Sequence, residues 1–294
     1  MDFLKTLKEH PYISDSITLN TYKEPYSYAV IDNLFKPDIY EKICKRAPEY
    51  TARQPAQAGE VGDSGKIYNA IIYTITKKED LIDGFDFFNS KSWQNFVSNL
   101  FDIKLNQHNA LSLHWHKGSP ESPSKDGWPH ADLGICSAID DPSIPIKIIG
   151  DCDYGEDSYD RQPNTTKIIK SVAILYYFNN KTPLEPNDGG GTAVCEDKKI
   201  LEIKPLNNRV FLFEISPKSF HRFIAAKFDR TAIVHWFHSS PSYIVKRHEA
   251  LFRERYKKGN DFFEFWKKGN RWQLDMDPDY YDYFNLPFDQ EFKR

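Results

Sequence analysis

A mainly β fold with flanking helices, an α+β chain built around a sandwich or barrel, is what the sequence predicts. Three observations predict it. From about residue 105 the chain breaks into short alternating or apolar runs bounded by turn residues, at 110–116, 144–149, 172–178, 191–195, 209–213 and 231–237. Several short strands at such spacing build a sandwich or a barrel. Asn187-Asp188-Gly189-Gly190-Gly191 is a sharp turn leading into one of these strands, because Gly, Asn and Asp reach the positive φ that tight turns need. On either side of the β-rich region the apolar spacing lengthens to that of a helix.

Taken in order, residues 28–32 (YAVID) read as a strand, and Pro37 opens a helix in which Ile39 and Ile43 stand four apart. Pro48 is expected to end that helix, since proline removes a donor from its interior. Residues 55–66 (PAQAGEVGDSGK) read as a loop, and 91–100 as a short amphipathic helix with Trp93, Phe96, Val97 and Leu100 on one side. After Pro241 the helical period returns in Ile244, His248, Leu251 and Phe252, with Gly259 as its stop. The aromatic and acidic stretch from Asp279 onward carries no assignable role. There is no internal repeat, and the expected organisation is one domain over 1–241, braced by N-terminal helices, and a helical C-terminal extension over 242–294.

Size and charge exclude several classes. A chain of 294 residues can bury a substantial core as one domain, and 39 basic against 42 acidic residues, spread along the chain, leave a net charge of −3 and no basic stripe for nucleic acid. The N-terminal residues are charged throughout, unlike a secretory signal, and no apolar run approaches the length of a membrane span. The four cysteines, Cys44, Cys136, Cys152 and Cys195, form no CxxC pair and read as free thiols of a reducing compartment. The expectation is a cytoplasmic protein without nucleic-acid or membrane partners.

Chemistry concentrates in His130-Ala131-Asp132, in His221 and in Arg230. Two imidazoles and one carboxylate are the ligand set of a non-haem iron(II) centre that keeps positions open for oxygen and a co-substrate. On an extended segment His130 and Asp132 leave the same face, and a jelly roll brings a distant strand carrying His221 beside them. Arg230 opens an apolar strand, where an unpaired guanidinium is costly, so it is expected to hold an anion. Its planar fork suits a carboxylate, and a short hairpin would lay it beside His221. His114 and His116 form a second same-face pair that could line a substrate pocket, while His235 and His238 suit ordinary packing. Residues 151–160 hold five carboxylates but lack full calcium-loop spacing, and read as a solvated insertion or a lid. The basic segment 246–258 alternates with Glu249 and Glu254 as an exposed helix face does.

His130-x-Asp132, His221 and Arg230 occur together with Leu175-Tyr176-Tyr177-Phe178-Asn179, ahead of Gly189-Gly190-Gly191-Thr192, and with residues 25–33 (PYSYAVIDN). In this order, over about residues 25–240, they resemble the 2-oxoglutarate- and iron(II)-dependent oxygenases of the prolyl-hydroxylase-like group. The resemblance implies a distorted double-stranded β-helix, the cupin-like jelly roll. It makes His130, Asp132 and His221 the catalytic iron ligands, Arg230 the anchor of the distal carboxylate of 2-oxoglutarate, and Tyr177 a phenolic donor to it. Tyr176 faces the other side of the same strand, and a one-residue slip would exchange the two tyrosines. Relatives often carry Ser or Thr two residues after the arginine; Ala232 stands there, so a hydroxyl must come from elsewhere.

The implied reaction couples oxidative decarboxylation of 2-oxoglutarate, to succinate and CO2, with hydroxylation of an unactivated C–H bond by O2. Ascorbate is a reductant the resemblance allows. Asp132 speaks against the halogenating relatives, which lack that carboxylate. The substrate is open among small metabolites, saccharides and amino-acid or prolyl groups, with a slight preference for a small metabolite or saccharide over a protein, and the oligomeric state is open. The competing expectation is a non-catalytic jelly-roll binding protein with a structural metal, against which Arg230 and Tyr177 both speak.

Overall fold

Apolar residues on both faces of the central strands require cover on both sides, and the chain supplies two different covers. The computed structural model describes residues 3–53, 70–75, 77–124, 127, 129–133, 135–139, 165–196 and 199–256. The expected loop at 55–66, the strand at 144–149, the acidic insertion at 151–160, Gly259 and the stretch from Asp279 lie outside them. In chain order the elements are α1 (Phe3–Lys8), β1 (Thr18–Tyr22), β2 (Tyr28–Asp32), α2 (Pro37–Arg53), β3 (Ala70–Thr74), α3 (Phe85–Phe88), α4 (Lys91–Phe101), β4 (Asn109–His116), β5 (Ile135–Ile139) and β6 (Thr165–Tyr177). There follow β7 (Thr192–Glu196), β8 (Lys199–Ile203), β9 (Arg209–Glu214), β10 (His221–Phe223), β11 (Arg230–Ser239), α5 (Pro241–Arg247) and α6 (Glu249–Tyr256).

Among the described residues the strands form two antiparallel sheets. The larger has eight strands, ordered β1-β2-β9-β6-β11-β4-β3, with β5 on the far end of β6; the smaller is β10-β7-β8. This is the distorted jelly roll with flanking helices that the sequence predicts. The outer face of the large sheet presents Tyr176, Ile233, His235 and Leu113, and the helical layer covers it. Phe35 and Phe88 pack on Tyr176 at ring distances of 5.3 and 5.5 Å, and Trp93 of α4 packs on Phe87 and Phe88. The inner face presents Tyr177, Ala232 and His114 side by side across β6, β11 and β4, with Arg230 opposite His116. The small sheet covers this face, where Phe223 stacks on His116 at 4.4 Å and His221 meets Phe213 at 4.5 Å.

Two local expectations are corrected. Helix α2 runs through Pro48 to Arg53 rather than stopping there. Its buried face, Ile39, Ile43, Ala47 and Tyr50, continues past the proline, and the Tyr50 hydroxyl donates to the Asp80 carbonyl at 2.6 Å. That burial outweighs the roughly 3 kcal/mol an interior proline costs. His221 and Arg230 are not partners in a hairpin: β10 pairs with β7 in the small sheet, whereas β11 pairs with β4 and β6 in the large one. Helix α4 matches its expectation, with Ser90 accepting from the Trp93 backbone N–H as its N-cap. After Pro241 the helix breaks at His248, and Arg247 ties α5 to the barrel through Glu214 and the Phe101 and Asp102 carbonyls. Among the described residues no helix is long and apolar enough to cross a membrane, and Cys44 and Cys195 are free thiols.

Candidate metal centre and anion pocket

His130 and His221 are fastened to each other through their backbones. Each N–H donates to the other's carbonyl at 3.0 Å, an isolated antiparallel bridge. Ser219, fully buried, reinforces the join by donating its hydroxyl to the Ala131 carbonyl at 3.2 Å. Asp132 then turns back with φ 59°, a left-handed conformation that Asp tolerates better than most residues. His130 and Asp132 therefore do not share the face of an extended strand, as alternation suggested; a bridge and a left-handed turn bring them together.

The convergence is close. Asp132 Oδ1 lies 3.7 Å from His130 Nε2, and Oδ2 lies 3.7 Å from His221 Nε2. One ligand atom from each of the three residues falls within 4.8 Å of the others, so one ion can be held by all three. His221 Nδ1 contacts the Ser219 carbonyl at 3.0 Å; an imidazole donating there keeps its Nε2 lone pair for a metal. Burial, with His130 adding to it, pushes the His221 pKa down to about 3 against the opposing pull of Asp132, so the ring is neutral as a ligand must be. Burial alone would raise the Asp132 pKa, but Lys170, the two histidines and the Trp236 N–H outweigh it and hold the carboxyl far below the usual range. Two imidazole nitrogens and one carboxylate, without thiolate, fit a ferrous ion with open positions.

Both carboxylate oxygens have a second partner. Trp236 Nε1 donates to Oδ2 at 2.9 Å, and Lys170 Nζ donates to Oδ1 at 3.3 Å. Sequence reasoning missed both. Trp236 lies six residues from Arg230 in the same strand, an even spacing that puts them on one face. Lys170 had no such signal.

Arg230 is 2% exposed, and among the described residues no carboxylate pairs with it. Its Nε donates to the Gly190 carbonyl at 3.2 Å, and its guanidinium lies 5.0 Å from the Tyr177 ring centre and 5.2 Å from that of Phe223. Burial lowers its pKa while Tyr177 opposes that shift. The glycine turn makes the carbonyl contact possible. Gly189 and Gly190 have φ of 70° and 80°, and a Cβ on Gly189 would lie 1.9 Å from the Ala225 carbonyl oxygen.

Tyr177, not Tyr176, shares the inner face with Arg230. Its hydroxyl is 2.7 Å from Thr192 Oγ1, and burial raises its pKa above the ordinary phenol value despite Arg230. Thr192, which ends the motif Gly189-Gly190-Gly191-Thr192, thus sets a hydroxyl beside Tyr177 on the face where Ala232 offers none. Tyr176 instead faces the helices and donates to Asn208 Oδ1 at 3.2 Å. His114 and His116 line the inner face near Arg230; burial first and Arg230 second push His114 to about 3 and His116 well below its ordinary value. His235 and His238 are buried, as packing residues are.

No protein-family model and no curated protein sequence matches the chain. Solved structures do. A prolyl 4-hydroxylase structure from Phytophthora capsici is similar at 16% identity over 73% of this chain, with a TM-score of 0.46, and the match spans 61% of that protein's length. A Pseudomonas putida prolyl-4-hydroxylase is similar at 12% identity over 75% of this chain and 91% of its own, with a TM-score of 0.43. A Trichoplax adhaerens prolyl hydroxylase, in complex with a hypoxia-inducible-factor peptide fragment, is similar at 14% identity over 76% of this chain and 86% of its own, with a TM-score of 0.46. With so little identity and superposition, no residue role carries across from these structures.

Proposed function

We propose that the chain is an iron(II)- and 2-oxoglutarate-dependent dioxygenase that hydroxylates an unactivated C–H bond, releasing succinate and CO2. The observation that carries this reading is Arg230. It is a buried guanidinium on the face that also holds Trp236, the partner of Asp132, and it has no carboxylate of its own among the described residues. A metal held for structure alone gives no reason for such a residue, because leaving a cation buried without an anion is costly.

In this reading His130, Asp132 and His221 hold the ferrous ion. When bound, that ion supplies the activation of dioxygen and the oxidative decarboxylation of 2-oxoglutarate. Arg230 receives the distal carboxylate of the co-substrate, with Nε fixed on Gly190 so that the outer nitrogens face the ligand. Tyr177 keeps its proton at neutral pH and, backed by Thr192, donates to the same carboxylate. Neutral His114 and His116 give the pocket a polar wall without adding positive charge. The primary substrate is a small metabolite, a saccharide or an amino-acid or prolyl group; residues 1–241 form the oxygenase domain and 242–294 an extension, in a cytoplasmic protein.

The test is whether the purified protein makes succinate from 2-oxoglutarate with iron(II) and oxygen, and whether Asp132→Ala abolishes it. Anaerobic titration separates the binding-protein alternative: a charge-transfer absorption is expected only when iron(II) and 2-oxoglutarate are both present. A colourless mixture, or unchanged turnover in Asp132→Ala, overturns the assignment.

A further inference from the structure

Lys170 reaches the inner face only because the sheet is irregular beside it. Counting back from Tyr177 by strict alternation puts position 170 on the outer, helix-covered face. Between β6 and β11, however, Val172 stands opposite Phe237 and Lys170 opposite His238, so Ser171 is skipped and the parity reverses. Bulges of this kind re-aim side chains near active sites. The 7%-exposed lysine thereby sets Nζ 3.3 Å from Asp132 Oδ1 and 4.2 Å from the Trp236 ring centre.

We propose that Lys170 is an internal counter-cation for Asp132 that competes with the metal for the carboxylate, stabilising the metal-free protein and weakening metal binding. The proposal rests on the metal reading above and adds a regulation of the same site. A buried carboxylate left without a cation is strongly destabilising. In the metal-free protein the lysine supplies that cation. A metal ion on Asp132 then has a like charge as its neighbour across a single carboxylate, in a place where water screens little. A lysine that only oriented Asp132 would have the opposite effect, since its loss would weaken metal binding. The sign of the change therefore separates competition from support.

The experiment uses the full chain, stripped of metal, with Co(II) as the spectroscopic probe. For Lys170→Met, Co(II) affinity is expected to rise about tenfold or more, while the metal-free protein melts several degrees lower and saturating Co(II) closes that gap. Lys170→Gln, which keeps a donor for Oδ1 without the charge, should show the same tightening and covers the case in which the methionine variant does not fold. Lys170→Arg should keep the wild-type affinity. Unchanged or weaker Co(II) binding in the uncharged variants, with wild type binding normally, overturns this proposal alone. Failure of the wild-type protein to bind Co(II) overturns the metal reading as well.

Discussion

Arg230→Met keeps a long apolar stem against Tyr177 and Phe223 while removing the cation. Losing a buried, charge-assisted contact costs about 2–5 kcal/mol, so the KM for 2-oxoglutarate should rise at least about 30-fold, with metal affinity unchanged. Steady-state kinetics over a 2-oxoglutarate series, beside a Co(II) titration, checks both halves. Tyr177→Phe removes a donor to the carboxylate and should raise the same KM by about 10- to 100-fold, whereas Thr192→Val removes one neutral hydrogen bond and should raise it by only about 3- to 10-fold. At this scale the sequence was legible where chemistry is rare: the two histidines, the aspartate and the arginine declare themselves by type and order. The backbone that unites them was not. A single bridge and a left-handed Asp132 leave no periodic trace, and the skipped Ser171 gave Lys170 the wrong apparent face.

Among the elements, the glycine turn before β7 is the one that the proposed anion pocket most depends on. A methyl at Gly189 would meet the Ala225 carbonyl oxygen at 1.9 Å, and φ of 70° disfavours any side chain there. Gly189→Ala should therefore destabilise the fold by about 2–4 kcal/mol. It should also displace the Gly190 carbonyl from Arg230, so that KM for 2-oxoglutarate rises in whatever folded protein remains; urea unfolding and kinetics read the two effects separately. The turn was legible because only Asn, Asp and Gly crowd so tightly at a sharp bend. The central strands β4, β6, β9 and β11 were legible because apolar residues dominate both of their faces. The edge strand β1 was not, since Thr18–Tyr22 is largely exposed and carries no apolar alternation. The course of α2 past Pro48 was hidden because the compensating contact, Tyr50 with Asp80, joins segments 30 residues apart.

For the molecule as a whole, the two-sided main sheet makes acid sensitivity a consequence of histidine burial. His235 sits on the helix-covered face between Phe88 and Phe237, and neither ring nitrogen has a hydrogen-bond partner among the described residues. Burial first, and His238 second, push its pKa from 6.5 down to about 3. Between those values the unfolded chain holds the proton and the folded chain does not, so lowering the pH from 6.5 toward about 3 favours unfolding and stability is lost across that window. One such group accounts for about 2–3 kcal/mol between pH 7 and pH 4.5. His235→Leu removes this dependence while keeping an apolar side chain of similar size. Its unfolding free energy, measured in urea on metal-stripped protein, should fall less steeply than wild type between those two pH values, by about that amount. His235 touches none of the three ligand residues, so the change should appear without loss of Co(II) binding at neutral pH. An equally steep acid decline in the variant would place the acid sensitivity elsewhere, with His238, whose pKa burial also pushes down to about 3, next in line.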